Sequence, residues 1–377
     1  MWYNGVVNSQ KTPKIGAVDA LTLGLRQAAR RPWLVLLPLG LDLLIWLGPP
    51  LSVSGLIRRF LALWEGLLRA TYPSGQMAAM NELIPAVREA MTQAGAQVNL
   101  LDMIAGSWLS APSALVAVQS TRQTFISDMI LAPVGLALNL PRIMQAPWQP
   151  APIEIGSFWT ALLIAVAIWL VGQVAVAVYV HWAAVGWMAP GSPEAVNPDP
   201  WKGMRGFVGL VIRLTVLNLV LGVSVFVLRM PLAVAMSLLV LSGSGATALL
   251  FAVIGGITLW MLLWFLTSFF FVSESVLIDH QPLLRSIMRS VALVRLQSLS
   301  TIGLVMMVNL VMLGFRAVWG LIGQSPAGAV FAIAANAYLA TSMVLAIFVY
   351  YEDRRRRLEA QLAQARQNAA MRNQMKD

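Results

Sequence analysis

Long apolar runs bounded by arginine recur along the chain, and they constrain its fold more than any other feature. A hydrocarbon core about 30 Å thick is crossed by about 20 apolar residues rising about 1.5 Å each. Six stretches meet that length: Trp33 to Ile57, Phe158 to Met188, Phe207 to Met230, Ala246 to Val272, Leu299 to Ile322 and Ala329 to Tyr351. Composition agrees, since 58% of the 377 residues are hydrophobic and only 11% are charged, more apolar surface than a soluble core of this size can use. The predicted fold is all-α: a polytopic integral membrane helix bundle of six transmembrane helices, with interfacial amphipathic helices and one extracytoplasmic helical insertion.

Positive residues near the span ends set the predicted orientation. Lys11, Lys14, Arg26, Arg30 and Arg31 precede the first span, and Arg354, Arg355, Arg356 and Arg357 follow the sixth, so both termini are expected in the cytoplasm of a plasma membrane. Connections carrying Lys202 and Arg205, and Arg285, Arg289 and Arg295, fall on the same side. The formal charge of +10 is therefore assigned to membrane orientation and not to nucleic-acid binding, because the arginines cap apolar runs and lack interleaved aromatics on a polar face.

The expected organisation is a cytoplasmic amphipathic segment over residues 1–32, the first span over 33–57, the external insertion over 58–155, the rest of the bundle over 156–351 and a basic tail over 352–377. The insertion carries six arginines against six acids, and its helix-compatible runs suggest a small helical subdomain against the bilayer, a poorly ordered loop being the alternative. Residues 231–245, "PLAVAMSLLVLSGSG", are too short to span. They read as an extension of a neighbouring helix, an interfacial turn or a re-entrant element.

Three segments before inward-facing spans are basic and amphipathic. In residues 282–295, Leu283, Leu284, Ile287, Met288, Val291 and Val294 share a face opposite Arg285 and Arg289, with Ser286 and Ser290 beside the arginines. This reads as a helix on the inner leaflet with its arginines at the headgroups. Asp19, Arg26 and Arg30 form a similar stripe opposite Val18, Leu21, Leu25 and Ala28, and Lys202, Arg205 and Arg213 form a third. The pattern suggests three repeated units, although positive-inside bias alone also places arginines there.

The run "FVSESVLIDHQPLLRSIMRSVALVRLQSLSTIGLVMMVNLV" and the exit "FVYYEDRRRRLEA" resemble a group of poorly characterised bacterial six-span proteins. That group includes the membrane domain fused to some glycerophosphoryl diester phosphodiesterases. The likeness spans roughly residues 156 to 357, and the long insertion is where this chain departs. The resemblance implies a membrane bundle; it carries over no catalytic residue, since the fused enzymes do their chemistry in a separate soluble barrel.

Chemical motifs are scarce. Cysteine is absent, which excludes disulfides, thiolate metal sites and cysteine nucleophiles. His181 and His280 lie far apart without a metal-binding spacing, and there is no phosphate loop or nucleophile elbow. No cofactor and no enzymatic activity are expected. Ionisable residues within spans point best to function, because each costs about 2.5–3.5 kcal/mol at the bilayer centre. Asp42 and Arg213 are the clearest; they pair across the bundle, or else Arg213 snorkels while Asp42 faces a polar crevice. Asn218, Gln173 and Asn309 are candidates for bonds between helices.

The expectation is a non-enzymatic scaffold or accessory subunit organising lipids or partner proteins. Contacts to lipid headgroups, anionic lipid included, or to a membrane protein partner are assigned to Arg26, Arg30, Arg31, Lys202, Arg205, Arg285, Arg289, Arg295 and Arg354 to Arg357. The alternative is a transporter or permease component with a path near Asp42 and Arg213.

Overall fold

A computed structural model describes residues 15–71, 84–89, 91–92, 99–101, 146–187, 204–242, 245–279 and 281–375. Ten helices among them carry the architecture: α1 (Ala17–Arg30), α2 (Trp33–Leu47), α3 (Ser54–Thr71), α4 (Phe158–Trp187), α5 (Met204–Ser242), α6 (Gly245–Ser268), α7 (Val272–Ile278), α8 (Leu283–Leu296), α9 (Ser298–Ile322) and α10 (Pro326–Gln374). The described strands are two residues each, Leu51–Ser52 pairing parallel with Ile153–Glu154. The fold is an all-α bundle, and four of these helices, α4, α5, α9 and α10, contain stretches long and apolar enough to cross a membrane. Their outer surface is apolar, with Leu163 and Leu310 each 70% exposed, the surface a lipid solvent requires and water penalises.

Helix α10 is the axis. Ser325 caps it by accepting the Gly328 N–H at 3.1 Å, Pro326 suits the first turn, and nearly every side chain from Leu339 to Tyr351 is buried by surrounding helices. Val176, Tyr179 and Val180 of α4 and Leu210, Leu214 and Leu217 of α5 close one side of its core; Phe270, Phe271, Leu293, Leu304 and Val308 close the other. Between α4 and α5, the Asn218 amide donates to Gln173 Oε1 at 2.5 Å, so two of the three amides expected as glue do join helices. Asn309 instead bonds its own helix at Val305 O.

The chain departs from the expected element bounds at two places and settles an open one. The run from Trp33 does not continue helically to Ile57: α2 ends at Leu47 before Gly48, Pro49 and Pro50, whose missing N–H groups and fixed φ stop a helix. At 15 residues α2 rises about 22 Å, short of a full crossing. Residues 231–242 extend α5, which settles their helical state in favour of the first of the three alternatives. The basic tail is not a separate segment, because α10 runs without a break from Pro326 to Gln374.

Helix α1 packs along α10 in antiparallel sense. Arg354 Nη2 reaches Ile15 O at 3.2 Å near one end, and the Tyr338 hydroxyl donates to Leu25 O at 3.1 Å further along. Its buried face is Ala20, Leu21, Gly24 and Ala28, rotated towards small residues from the predicted Val18, Leu21, Leu25 and Ala28; Val18 is 62% exposed. A Cβ on Gly24 would collide with the Ser342 carbonyl and lie 2.7 Å from Ala346 N, so two backbones meet here.

Of the insertion, α3 and its surroundings are described. Arg58 pairs with Glu154, and Arg88 donates to Glu65 Oε1 at 2.6 and 2.9 Å, holding that carboxyl below its usual range. Residues 102–145, with most of its expected helical runs, lie outside the described residues.

Candidate functional site

Charge inside this bundle is concentrated where α7, α8 and α10 meet. The site is made by a break in the chain after α6: Phe269 to Phe271 turn, and Ser290 of α8 holds the turn by accepting the Phe271 N–H at 3.1 Å and donating to Ser268 O at 2.7 Å. Helix α7 follows and delivers Asp279 at its C-terminal end. Pro282, with extended backbone, then starts α8.

Asp279 is the hub, its side chain only 3% exposed. Arg355 Nη1 donates to Oδ1 at 3.1 Å, Ser275 Oγ donates to Oδ2 at 3.3 Å, and the Tyr351 hydroxyl donates to Oδ2. Arg289 Nε lies 2.9 Å from Oδ2, close enough for ion pairing but without the alignment of a hydrogen bond, while its Nη2 reaches Glu359 at 2.5 Å. Glu352 accepts from Arg355 at 2.9 Å and from Arg356 at 2.8 Å, and Arg357 pairs with Asp353 at 2.9 Å. Arg354 lies over the Tyr350 ring at 4.4 Å and donates to Ser300 Oγ at 3.1 Å. Asp279 thus ties α8 to α10 through Arg289 and Arg355, Arg289–Glu359 adds a second link, and the Asp353–Arg357 pair lies within α10.

This changes the role of several arginines. Arg289, Arg354 and Arg355 were expected at lipid headgroups; Arg354 and Arg355 are buried, at 5% and 7% exposure, and all three are engaged inside the protein. On α8 the packed face is Ser286, Ser290, Leu293 and Val294, while Leu284 and Met288 of the predicted apolar face stand 72% and 66% exposed. Arg26, Arg30, Arg205, Arg285, Arg295 and Arg356 are exposed, and Arg31 is half-buried. Lys202 and His280 lie outside the described residues.

The expected Asp42–Arg213 pair is not formed. Arg213 Nη1 donates to Gln281 O at 3.4 Å, at the charged end of the bundle. Asp42 is 3% exposed on α2, and its Oδ1 has no hydrogen-bond partner among the described residues. Trp46, one turn on, packs with Ala329 and Ile333, so the register brings Asp42 towards Asn336 of α10, whose amide nitrogen is also buried without a partner.

Glu274, just past the fourth apolar run, is buried beside Ser273, whose hydroxyl donates to it at 2.9 Å. Burial pushes its carboxyl up to about 7 from 4.5. A folded value above the unfolded one means the native state holds the proton more tightly. Stability present below pH about 4.5 is therefore lost as pH rises through about 7, by about 3 kcal/mol. Glu274→Gln flattens this dependence; unfolding midpoints taken from acid to mildly alkaline pH check it, and an unchanged slope contradicts it.

No group of acids and histidines that could hold a metal occurs among the described residues. No protein-family model matches the chain, and no curated protein or solved structure matches it either.

Proposed function

We propose that this is a non-enzymatic, multi-pass plasma-membrane scaffold or accessory subunit, both termini cytoplasmic, whose working part is the cytoplasmic arm of α10. One observation carries the reading: the helix that forms the core of the bundle continues unbroken to Gln374, with exposed side chains beyond Leu358. Its base is clamped by Asp279, Arg289 and Glu359, so the arm's direction is tied to the bundle. A helix held at one end and bare along about 25 Å suits the presentation of a partner-binding face. Leu362 and Met371 are the larger apolar side chains it displays. The resemblance to six-span bacterial proteins supports a membrane role without chemistry. Photocrosslinkers at Leu362 and Met371 in native membranes should give discrete protein adducts; adducts to lipid alone, or none, would overturn the reading.

A second reading, a transporter or permease component, is favoured by the buried Oδ1 of Asp42 and by the interruption of the membrane element between α1 and α2. Single cysteines at Leu41 and Ile45, in a chain with no native cysteine, test it with a water-soluble thiol reagent. Labelling supports a path; protection of both opposes it.

A further inference from the structure

The face of α1 turned away from α10 is charged. Arg26 and Arg30 project opposite the packed residues Ala20, Gly24 and Ala28, and both are exposed. Their side chains make no hydrogen bond or ion pair with any described residue, and neither does the side chain of half-buried Arg31 at the break before Pro32. Residues beside this stripe are those of a lipid-facing surface: Val18, Trp33 and Leu36 are 62%, 52% and 64% exposed.

Register fixes how deep the stripe reaches. Ile15 meets Arg354 just past the apolar stretch of α10, Gly24 meets Ser342 and Ala346, and Leu25 is bonded by Tyr338. Tyr338 stands about 20 Å along the axis from Tyr351, close to the middle of the apolar run from Ala329 to Tyr351. Helix α2 completes the crossing, with Trp46 packed against Ala329 and Ile333. The break at Arg30, Arg31 and Pro32 therefore sits partway through the membrane element and not at its inner boundary.

We propose that this stripe seats phospholipid phosphate groups, drawn from the inner leaflet along α1 towards the mid-depth of the bundle. Unpaired guanidinium groups facing hydrocarbon are costly, and a phosphate is the anion a lipid-facing surface can supply in the planar, bidentate geometry arginine prefers. The α1 seam makes the seat rigid, since small residues hold the helix against α10 at backbone distance. The inference rests on the membrane reading of the bundle but is independent of any partner for the α10 arm.

The test uses the full chain carrying Ala29→Cys, an exposed position beside Arg30, labelled with a fluorophore in nanodiscs of phosphatidylcholine with and without phosphatidylglycerol. A nitroxide on the lipid headgroup should quench it more strongly than a nitroxide at mid-chain. Arg26→Gln with Arg30→Gln should reverse that order and weaken the preference for phosphatidylglycerol roughly fivefold per arginine. Both arginines are exposed, so an unchanged tryptophan-detected melt serves to confirm folding. Stronger mid-chain quenching with the arginines present overturns the proposal. So does headgroup quenching that survives the double substitution, which would mean α1 lies flat on the surface, and so does spin coupling between copies labelled at this position, which would mean a second chain covers the stripe.

Discussion

Asp279→Asn lowers the stability of the bundle by about 3 kcal/mol, the largest loss expected from any single charge. The carboxylate answers Arg289 and Arg355 and accepts from Tyr351, and its side chain is 3% exposed, so water cannot replace it. The loss sits at the lower end of what breaking a buried pair costs because Arg355 keeps Glu352 and Arg289 keeps Glu359. Tryptophan-detected unfolding in detergent measures it, the 14 tryptophans giving ample signal. In an Arg355→Gln background the same substitution should cost less, since the partner is already gone. Additive losses would show that the two groups do not depend on each other.

Gly24→Leu separates α1 from α10. Even one methyl group collides with the Ser342 carbonyl and crowds Ala346, and these are backbone and near-backbone atoms that cannot swing aside. Gly24→Ala should cost about 1–3 kcal/mol by displacing the helix, and leucine should exceed that range. The readout is a cysteine at Ala20, fully buried against α10. Its reaction with a small thiol reagent should accelerate about tenfold for each 1.4 kcal/mol lost. A reactivity unaffected by leucine at position 24 would mean that α1 does not rest on this seam.

Much of the fold is legible from the length of the apolar runs. Apolar runs of sufficient length locate α4, α5, α9 and the first half of α10, because hydrocarbon thickness imposes a length that few other constraints imitate. The packing of α1 was not legible. An amphipathic pattern is the same whether the helix lies on a leaflet or against another helix; only the spacing of Ala20, Gly24 and Ala28 hinted at a close backbone approach. On α8 the serines looked like companions of the arginines, whereas Ser290 serves to pin the α6 to α7 turn. Asp42 was conspicuous as a charge in a span, but a partner 171 positions away cannot be inferred from charge sign alone, and Arg213 turns to Gln281.

The charged cluster was half visible. Glu352 with Arg356 and Asp353 with Arg357 stand four residues apart with the acid first, the favourable helical order, so pairing within the tail could be read directly. Asp279 could not, since its partners come from α8 and from α10 more than seventy residues on. The arginine run closes an apolar stretch, and burial explains why two of its members are consumed inside the protein.

The proposed scaffold requires α10 to be one stiff element from the bundle to the tip of its arm. Spin labels at Phe331 and Arg366, both exposed and 35 residues apart, measure this in the full chain by pulsed dipolar spectroscopy. A continuous clamped helix predicts one narrow distance near about 52 Å. A broad or markedly shorter distribution would show a joint at the arginine run and would contradict the scaffold as described.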